Sequence, residues 1–347
     1  MSRTRAPARR VPPAAALLAA ALAAVLLLGA CAAPTATPVP TATPEPTKAA
    51  FPVTVKDAAG QDFTLAAAPQ KIVCLPIWAT EMLFGLVDPA RIAGISNWIS
   101  DPNLSPIAEA AKAVETRVES KKPEEIVALQ PDLVVLDDFN DFDGSLATTL
   151  KAAGIPVLTL ESPTSIEGAE AAIPVLAAVT GESAKGEAML ADMKAKLDGV
   201  AAKLASVAAA DRLTAMYAYA SYNDPTMFSS YDAGTPIGAI IAAAGLVNVC
   251  DAPAYSDVSK EKVVKDWKPQ VLVVSSIVWK TDYSGTTDDG GAAAKAAILA
   301  DATLATVPAV VDSRIYGIPD KFMASTSQYM ADAVVLLAKA AYPDLFK

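Results

Sequence analysis

The feature that most narrows the fold is a set of short apolar runs: KIVCLP (Lys71–Pro76), RIAGIS (Arg91–Ser96), DLVVLDD (Asp132–Asp138), PVLTLES (Pro156–Ser162), LTAMYAYAS (Leu213–Ser221), VLVVSS (Val271–Ser276) and RIYGIP (Arg314–Pro319). A strand with one face in water alternates polar and apolar residues. Runs without that alternation are strands buried on both faces. Helical stretches such as TEMLFGLV (Thr80–Val87) and ADAVVLLAKAAY (Ala331–Tyr342) separate them. The expected class is α/β, with parallel sheets covered by helices on both sides. VTVKDAAGQDFTL (Val53–Leu65) reads as a hairpin turning at Ala59-Gly60. One stretch, Ser165–Ala210, carries no strand signal, and its Leu190, Met193 and Leu197 recur at helical spacing. Pro174 and Gly181 are expected to break it into a shorter and a longer helix. The layout is thus one α/β lobe over 51–164, linking helices over 165–210, and a second α/β lobe over 211–347.

The first thirty residues are of another kind. A basic start with Arg3, Arg5, Arg9 and Arg10 precedes an apolar run from Ala14 to Leu28. This is the pattern of a secretory signal, removed from the mature protein. It ends in Leu28-Gly29-Ala30-Cys31, which resembles a bacterial lipobox and implies cleavage before Cys31 and lipid on that residue. Residues 31–50 alternate Pro and Thr, a composition that favours extended polyproline II over a core. At roughly 3 Å per residue such a tether reaches on the order of 60 Å. The expected location is extracytoplasmic, anchored to the membrane by lipid.

Composition excludes several functions. The 347 residues contain no histidine, which removes Ser-His-Asp and Cys-His nucleophilic sites, H-E-x-x-H zinc sites and histidine-ligated haem. No G-x-x-x-x-G-K-[ST] phosphate loop occurs. From Cys31 onward 24 basic residues face 38 acidic ones, a net of −14 that does not suit a nucleic-acid surface. Neither an enzyme nor a resident cofactor is expected. Cys74 and Cys250 read as two small buried thiols or as one disulfide.

In a parallel sheet, ligands meet the loops that follow the carboxyl ends of the strands. Those loops hold Trp78; Asn97 and Trp98; Asp137, Asp138 and Phe139; Tyr222, Met227, Phe228 and Tyr231; Trp279, Lys280 and Tyr283; and Phe322. The fourth tryptophan, Trp267, lies on a helix before a strand and reads as core. After the tether only Arg91, Arg117, Arg212 and Arg314 remain as arginines, and three of them precede strands at the opposite edge. An aromatic, arginine-poor cleft disfavours an anionic catecholate. An all-carboxylate site for a hard cation at Asp137, Asp138, Asp141 and Asp143 is a further option; solvated acids are the plainer reading.

The phrases FPVTVKDAAGQDFTL, PQKIVCLPIWATEMLFGL, RIAGIS, EEIVALQPDLVV and GTPIGAIIAAAGLVNV, in that order behind the lipobox, resemble substrate-binding proteins of ABC importers for iron-siderophores, haem and cobalamin. The resemblance implies two lobes joined by one rigid backbone helix, here Ser183–Ala205, with the ligand in the cleft between them. It implies a metal chelate as cargo, a ferric siderophore or a corrinoid. The implied partners are a permease dimer with its ATPase, and the binding protein itself is a monomer. In that family one surface glutamate on each lobe pairs with permease arginines; Glu124 in PEEIVALQPDLV and Glu261 in VSKEKVV match. The second unit has one residue more before its proline, Pro269, than the first has before Pro131. Acids in a first helical turn also suit the helix dipole, by a few tenths of a kcal/mol to about 1. The alternative function is an envelope sensor or adhesion module that reuses the same fold, which has no need of the two glutamates.

Overall fold

The computed structural model describes residues 51–220, 228–280 and 284–347. The leader, the tether and Cys31 lie outside the described residues, as do Tyr222, Met227 and Tyr283.

The first lobe opens with a hairpin, Val53–Lys56 paired antiparallel with Asp62–Leu65. Its sheet has five parallel strands in the order Arg117–Val118, Ile92–Ser96, Ile72–Cys74, Leu133–Asp137 and Val157–Leu160. The second lobe has four parallel strands in the order Val247–Asn248, Thr214–Tyr217, Val271–Ser275 and Ile315–Ile318. Each order reverses once, between Ile72–Cys74 and Leu133–Asp137 in the first lobe and between Thr214–Tyr217 and Val271–Ser275 in the second.

The unbroken apolar character of the strands follows from which core each residue serves. Ile72, Cys74, Leu133 and Val135 enter one large core, which also takes Ala215, Tyr217, Val271 and Val273 of the second lobe. Their neighbours turn the other way. Val73, Leu75, Val134 and Leu136 build a separate core under helices Pro123–Ala128 and Ser145–Ala152. Met216, Leu272 and Val274 build a third. Each sheet thus buries its inner face in a core common to both lobes and its outer face in a core of its own.

Two helices fill the common core, Ile166–Thr180 and Ser183–Leu204. They separate at Gly181, whose left-handed φ of 78° ends the first helix. Pro174 does not break the chain as expected; the first helix runs through it. An internal proline costs about 3 kcal/mol. The same helix buries Ile173, Leu176 and Val179 completely, each worth roughly 1.5–3 kcal/mol, and this burial outweighs the loss. Met193, Val200 and Leu204 carry the common core along the second helix, which packs on the closing helix Met330–Ala341.

Two features are absent from the sequence reading. The run Leu213–Ser221 is not one strand. Thr214–Tyr217 belongs to the parallel sheet, while Tyr219–Ala220 joins an antiparallel ribbon with Phe228–Tyr231 and Tyr255–Asp257. The strand Val271–Ser275 is followed by a second hairpin, Ile277–Trp279 with Thr286–Asp288. Cys74 and Cys250 are buried free thiols. Burial raises the Cys74 pKa to about 12, which leaves it unreactive.

Candidate functional site

A cavity of about 450 Å³ opens where the carboxyl ends of the strands of both lobes converge, within the range of roughly 300–1,000 Å³ of small-molecule sites. The first lobe contributes Trp78, Glu81, Trp98, Leu104, Asp137 and Phe139; the second contributes Trp279, Ala324, Ser325 and Thr326. The lining is mainly apolar, and among the described residues no lysine or arginine reaches it.

The first wall straddles the strand-order reversal, where a parallel sheet leaves a crevice. Trp78 stands on the first turn of helix Ile77–Leu86, and its Nε1 donates to Asp137 Oδ2 across the crevice at 3.0 Å. Asp137 also accepts from Ser162 Oγ at 2.8 Å and from the Asn140 backbone N–H at 2.9 Å. Asp137, and not Asp138, therefore faces the cavity. As the last residue of its strand it follows the pleat inward. Asp138 is turned to the Ser162 hydroxyl at 2.7 Å, and that hydrogen bond holds its carboxyl below the usual range.

The second wall comes from the 3₁₀ turn Asn97–Ser100 of the first lobe and the hairpin Ile277–Trp279 with Thr286–Asp288 of the second. Trp98, 51% exposed, meets Trp279 edge to face with ring centres 6.2 Å apart. Behind this pair, Asp101 Oδ2 accepts from the Thr286 backbone N–H at 3.0 Å and its hydroxyl at 2.9 Å. Asn103 Nδ2 donates to the same hydroxyl at 3.0 Å. Asn97 does not face the apolar cavity. It lines a neighbouring polar pocket with Lys280, Ser284 and Thr286. Phe139 projects from the rim, 86% exposed.

Three of the expected aromatics go elsewhere. Phe228 is 2% exposed in the outer core of the second lobe, with the Lys260 ammonium 5.8 Å from its ring centre. It lies on a strand and not on a loop. Tyr231, at the other end of that strand, meets Tyr217 edge to face with ring centres 5.3 Å apart and lies tilted against Tyr255 at 4.8 Å. Burial raises its hydroxyl pKa. Phe322 packs against Tyr329 at 6.2 Å, and the residues after it, Ala324 to Thr326, line the cavity in its place. Trp267 is core, as its sequence context implied.

The acidic run after Asp137 does not converge on a point. Asp141 caps helix Ser145–Ala152 by accepting from the backbone N–H of Leu146 and Ala147, both at 2.9 Å, and Asp143 accepts from Ser145 N–H at 3.0 Å. No cluster of three potential ligands forms among the described residues.

The residue that sequence reading passed over is Glu81. It is the single charged residue of helix Ile77–Leu86, and that isolation was the available signal. Its carboxyl is 1% exposed at the cavity floor. Oε1 accepts from Ser105 Oγ at 2.8 Å; Oε2 accepts from Ser325 Oγ at 2.9 Å and Ser327 Oγ at 2.6 Å. Burial raises its pKa to about 7, against the three hydroxyls that favour the ionised form.

The two surface glutamates sit in matching surroundings. Glu124 is exposed in the first turn of Pro123–Ala128; Gln130 follows with a left-handed φ of 50°, then Pro131 and a strand. Glu261 is exposed in the first turn of Lys260–Lys262; Lys268 follows with φ 45°, then Pro269 and a strand. The one extra residue of the second unit is taken up by a π-type turn over Val263–Trp267, closed by Lys268 N–H on the Val263 carbonyl at 2.9 Å. Among the described residues Glu124 has no ion-pair partner, whereas Glu261 pairs with Lys265.

Comparison with known proteins agrees with this architecture. A model of the family described as periplasmic binding protein matches residues 72–322. The chain belongs to the periplasmic binding protein family. This family member is 29% identical over 232 residues to a cobalamin-binding protein of Halobacterium salinarum, a match covering 64% of the present chain and 58% of that protein. It thus spans less than two thirds of that relative's length. It is 25% identical over 299 residues to the ABC transporter substrate-binding lipoprotein YvrC of Bacillus subtilis, covering 86% and 88% of the two chains. A periplasmic binding protein from Veillonella parvula, 18% identical, shares the fold with a TM-score of 0.69 over 85% of this chain and 99% of its own.

Proposed function

We propose that this periplasmic binding protein is the lipid-anchored, extracytoplasmic substrate-binding component of an ABC importer. It captures a metal chelate, either a corrinoid or a ferric siderophore of hydroxamate type, and delivers it to the permease. The observation that carries the ligand class is the cavity itself: three tryptophans and two carboxyls, with no lysine or arginine among its described lining residues. Such a surface binds by ring stacking and apolar contact, and it repels a polyanion. The names of the Halobacterium and Bacillus relatives support the cobalamin and lipoprotein parts of this reading. The permease contact falls to Glu124 and Glu261, which stand on equivalent units of the two lobes. The protein acts as a carrier and performs no bond chemistry.

A fluorescence titration with cobalamin, a ferric hydroxamate, a ferric catecholate and haem tests the ligand class. Cobalamin or the hydroxamate should quench Trp78, Trp98 and Trp279 with the tightest affinity, and Trp267 should contribute little. Tightest binding of the catecholate overturns the electrostatic reading. Binding of none of the four overturns the ligand class.

A further inference from the structure

Glu81 is anchored from both sides of the cleft. Ser105 reaches it from the first lobe; Ser325 and Ser327 reach it from the second, across 244 and 246 residues of chain. The Gln328 side chain adds a fourth tie, donating from Nε2 to the Glu81 backbone carbonyl at 3.2 Å. Every member of this cluster except Gln328 is buried, Ser327 completely. Among the described residues no cation touches the carboxyl.

The titratable groups around it are few. Tyr329, at the start of the closing helix, lies near Glu81, and its hydroxyl pKa is raised first by burial and then by the Glu81 charge. Asp137 lines the same cavity. Asp101, on the loop leading to Ser105, is bound to Thr286. Lys196 on the linking helix pairs with Asp332 at 3.1 Å, and both act on Tyr329. The floor of the cleft therefore holds one carboxyl that joins two lobes without a counter-ion.

We propose that Glu81 is a positioning residue that sets the spacing of the two lobes, and that the gain or loss of its proton shifts the cleft between a closed and a more open arrangement. A neutral carboxyl satisfies the three hydroxyls at little cost, because each serine can donate or accept. An ionised carboxyl without a cation draws water, and water enters only if the floor parts. The direction follows from linkage. In the closed cleft the pKa is about 7, and where water reaches the group it returns to the ordinary 4.5. Closure is fully supported below the lower value and the support is lost as pH rises through the upper one. The closed-to-open ratio should fall about tenfold per pH unit across that window, on the order of 300-fold in all.

The test needs no ligand for its first arm. The mature protein is titrated from pH 4.5 to 8.5 while tryptophan emission and the radius from small-angle X-ray scattering are followed. Wild type should show one transition between about pH 4.5 and 7, with redder emission and a larger radius on the alkaline side. Glu81→Gln should hold the acid-side values throughout. Ser325→Ala combined with Ser327→Ala removes the two hydroxyls that tie the neutral carboxyl to the second lobe, so the transition should move to lower pH. This shift carries the test if the glutamine variant does not fold. A transition that persists in Glu81→Gln, or a flat wild-type profile, overturns the inference. The second arm rests on the proposed function: cobalamin affinity should weaken across the same window in wild type and stay constant in Glu81→Gln. Failure of cobalamin to bind either protein overturns the ligand reading alone, because the first arm is read without it.

Discussion

Phe228 and Trp98 both follow strand signals in the sequence, and the structure gives them opposite parts. Phe228 is 2% exposed and packed in the outer core of the second lobe; Trp98 is 51% exposed on the cavity wall. Phe228→Ala removes a buried ring and leaves a void, a change worth about 3–5 kcal/mol. Loss of the contact with Lys260 adds roughly 0.5–1 kcal/mol. Trp98→Ala removes a ring already half in water, so the loss is chiefly its edge-to-face contact with Trp279, about 0.5–1.5 kcal/mol. Urea unfolding at fixed pH should therefore give a large drop in midpoint for Phe228→Ala and a small one for Trp98→Ala, with unchanged slope in both. Ligand titration, at a concentration where each variant is folded, should reverse the order. Trp98→Ala should weaken binding at least tenfold, about 1.4 kcal/mol, and Phe228→Ala should leave it nearly unchanged. A Phe228→Ala protein that keeps its stability and loses its ligand would place this ring in the cleft and refute the reasoning.

Three further outcomes are expected. Folding stability of wild type should fall relative to Glu81→Gln as pH rises from about 4.5 to 7, by up to roughly 3 kcal/mol, because the folded state holds the Glu81 proton more tightly than the unfolded chain; parallel pH profiles of the two unfolding midpoints would contradict this. Reversing Glu124 and Glu261 to Arg should leave ligand affinity unchanged and abolish uptake by cells, a charge mismatch of several kcal/mol at the permease contact; normal uptake would remove both residues from that role. Cys31→Ala should release the protein from membranes with its unfolding curve unaltered, and retention of the processed variant would rule out the lipid anchor.

How far the sequence reaches depends on the distance over which each force acts. Burial of alternate residues on two faces leaves an unbroken apolar run, so Ile72–Cys74, Leu133–Asp137 and Val271–Ser275 could be placed as strands covered on both faces from the residue pattern alone. The acid–turn–proline–strand unit is local too, and both copies, at Glu124 and Glu261, were visible. So were Trp78, Trp98 and Trp279, because a loop after a strand's carboxyl end has one place to go in a parallel sheet.

The sequence by itself therefore determined the class of fold and the three tryptophans of the cavity wall. The tertiary structure alone decided the rest. Pro174 stays inside a helix because the core on either side of it is worth more than the bond it lacks. Phe228 leaves the cleft because a partner strand, Tyr255–Asp257, draws its segment into a ribbon whose pleat turns the ring inward. Glu81 reads as one misplaced charge on an apolar helix until Ser325 and Ser327, some 245 residues away, close over it. Such choices depend on which surfaces meet, and pairing between distant segments is set by the summed burial and hydrogen bonding of the whole chain, of which no local pattern carries a record.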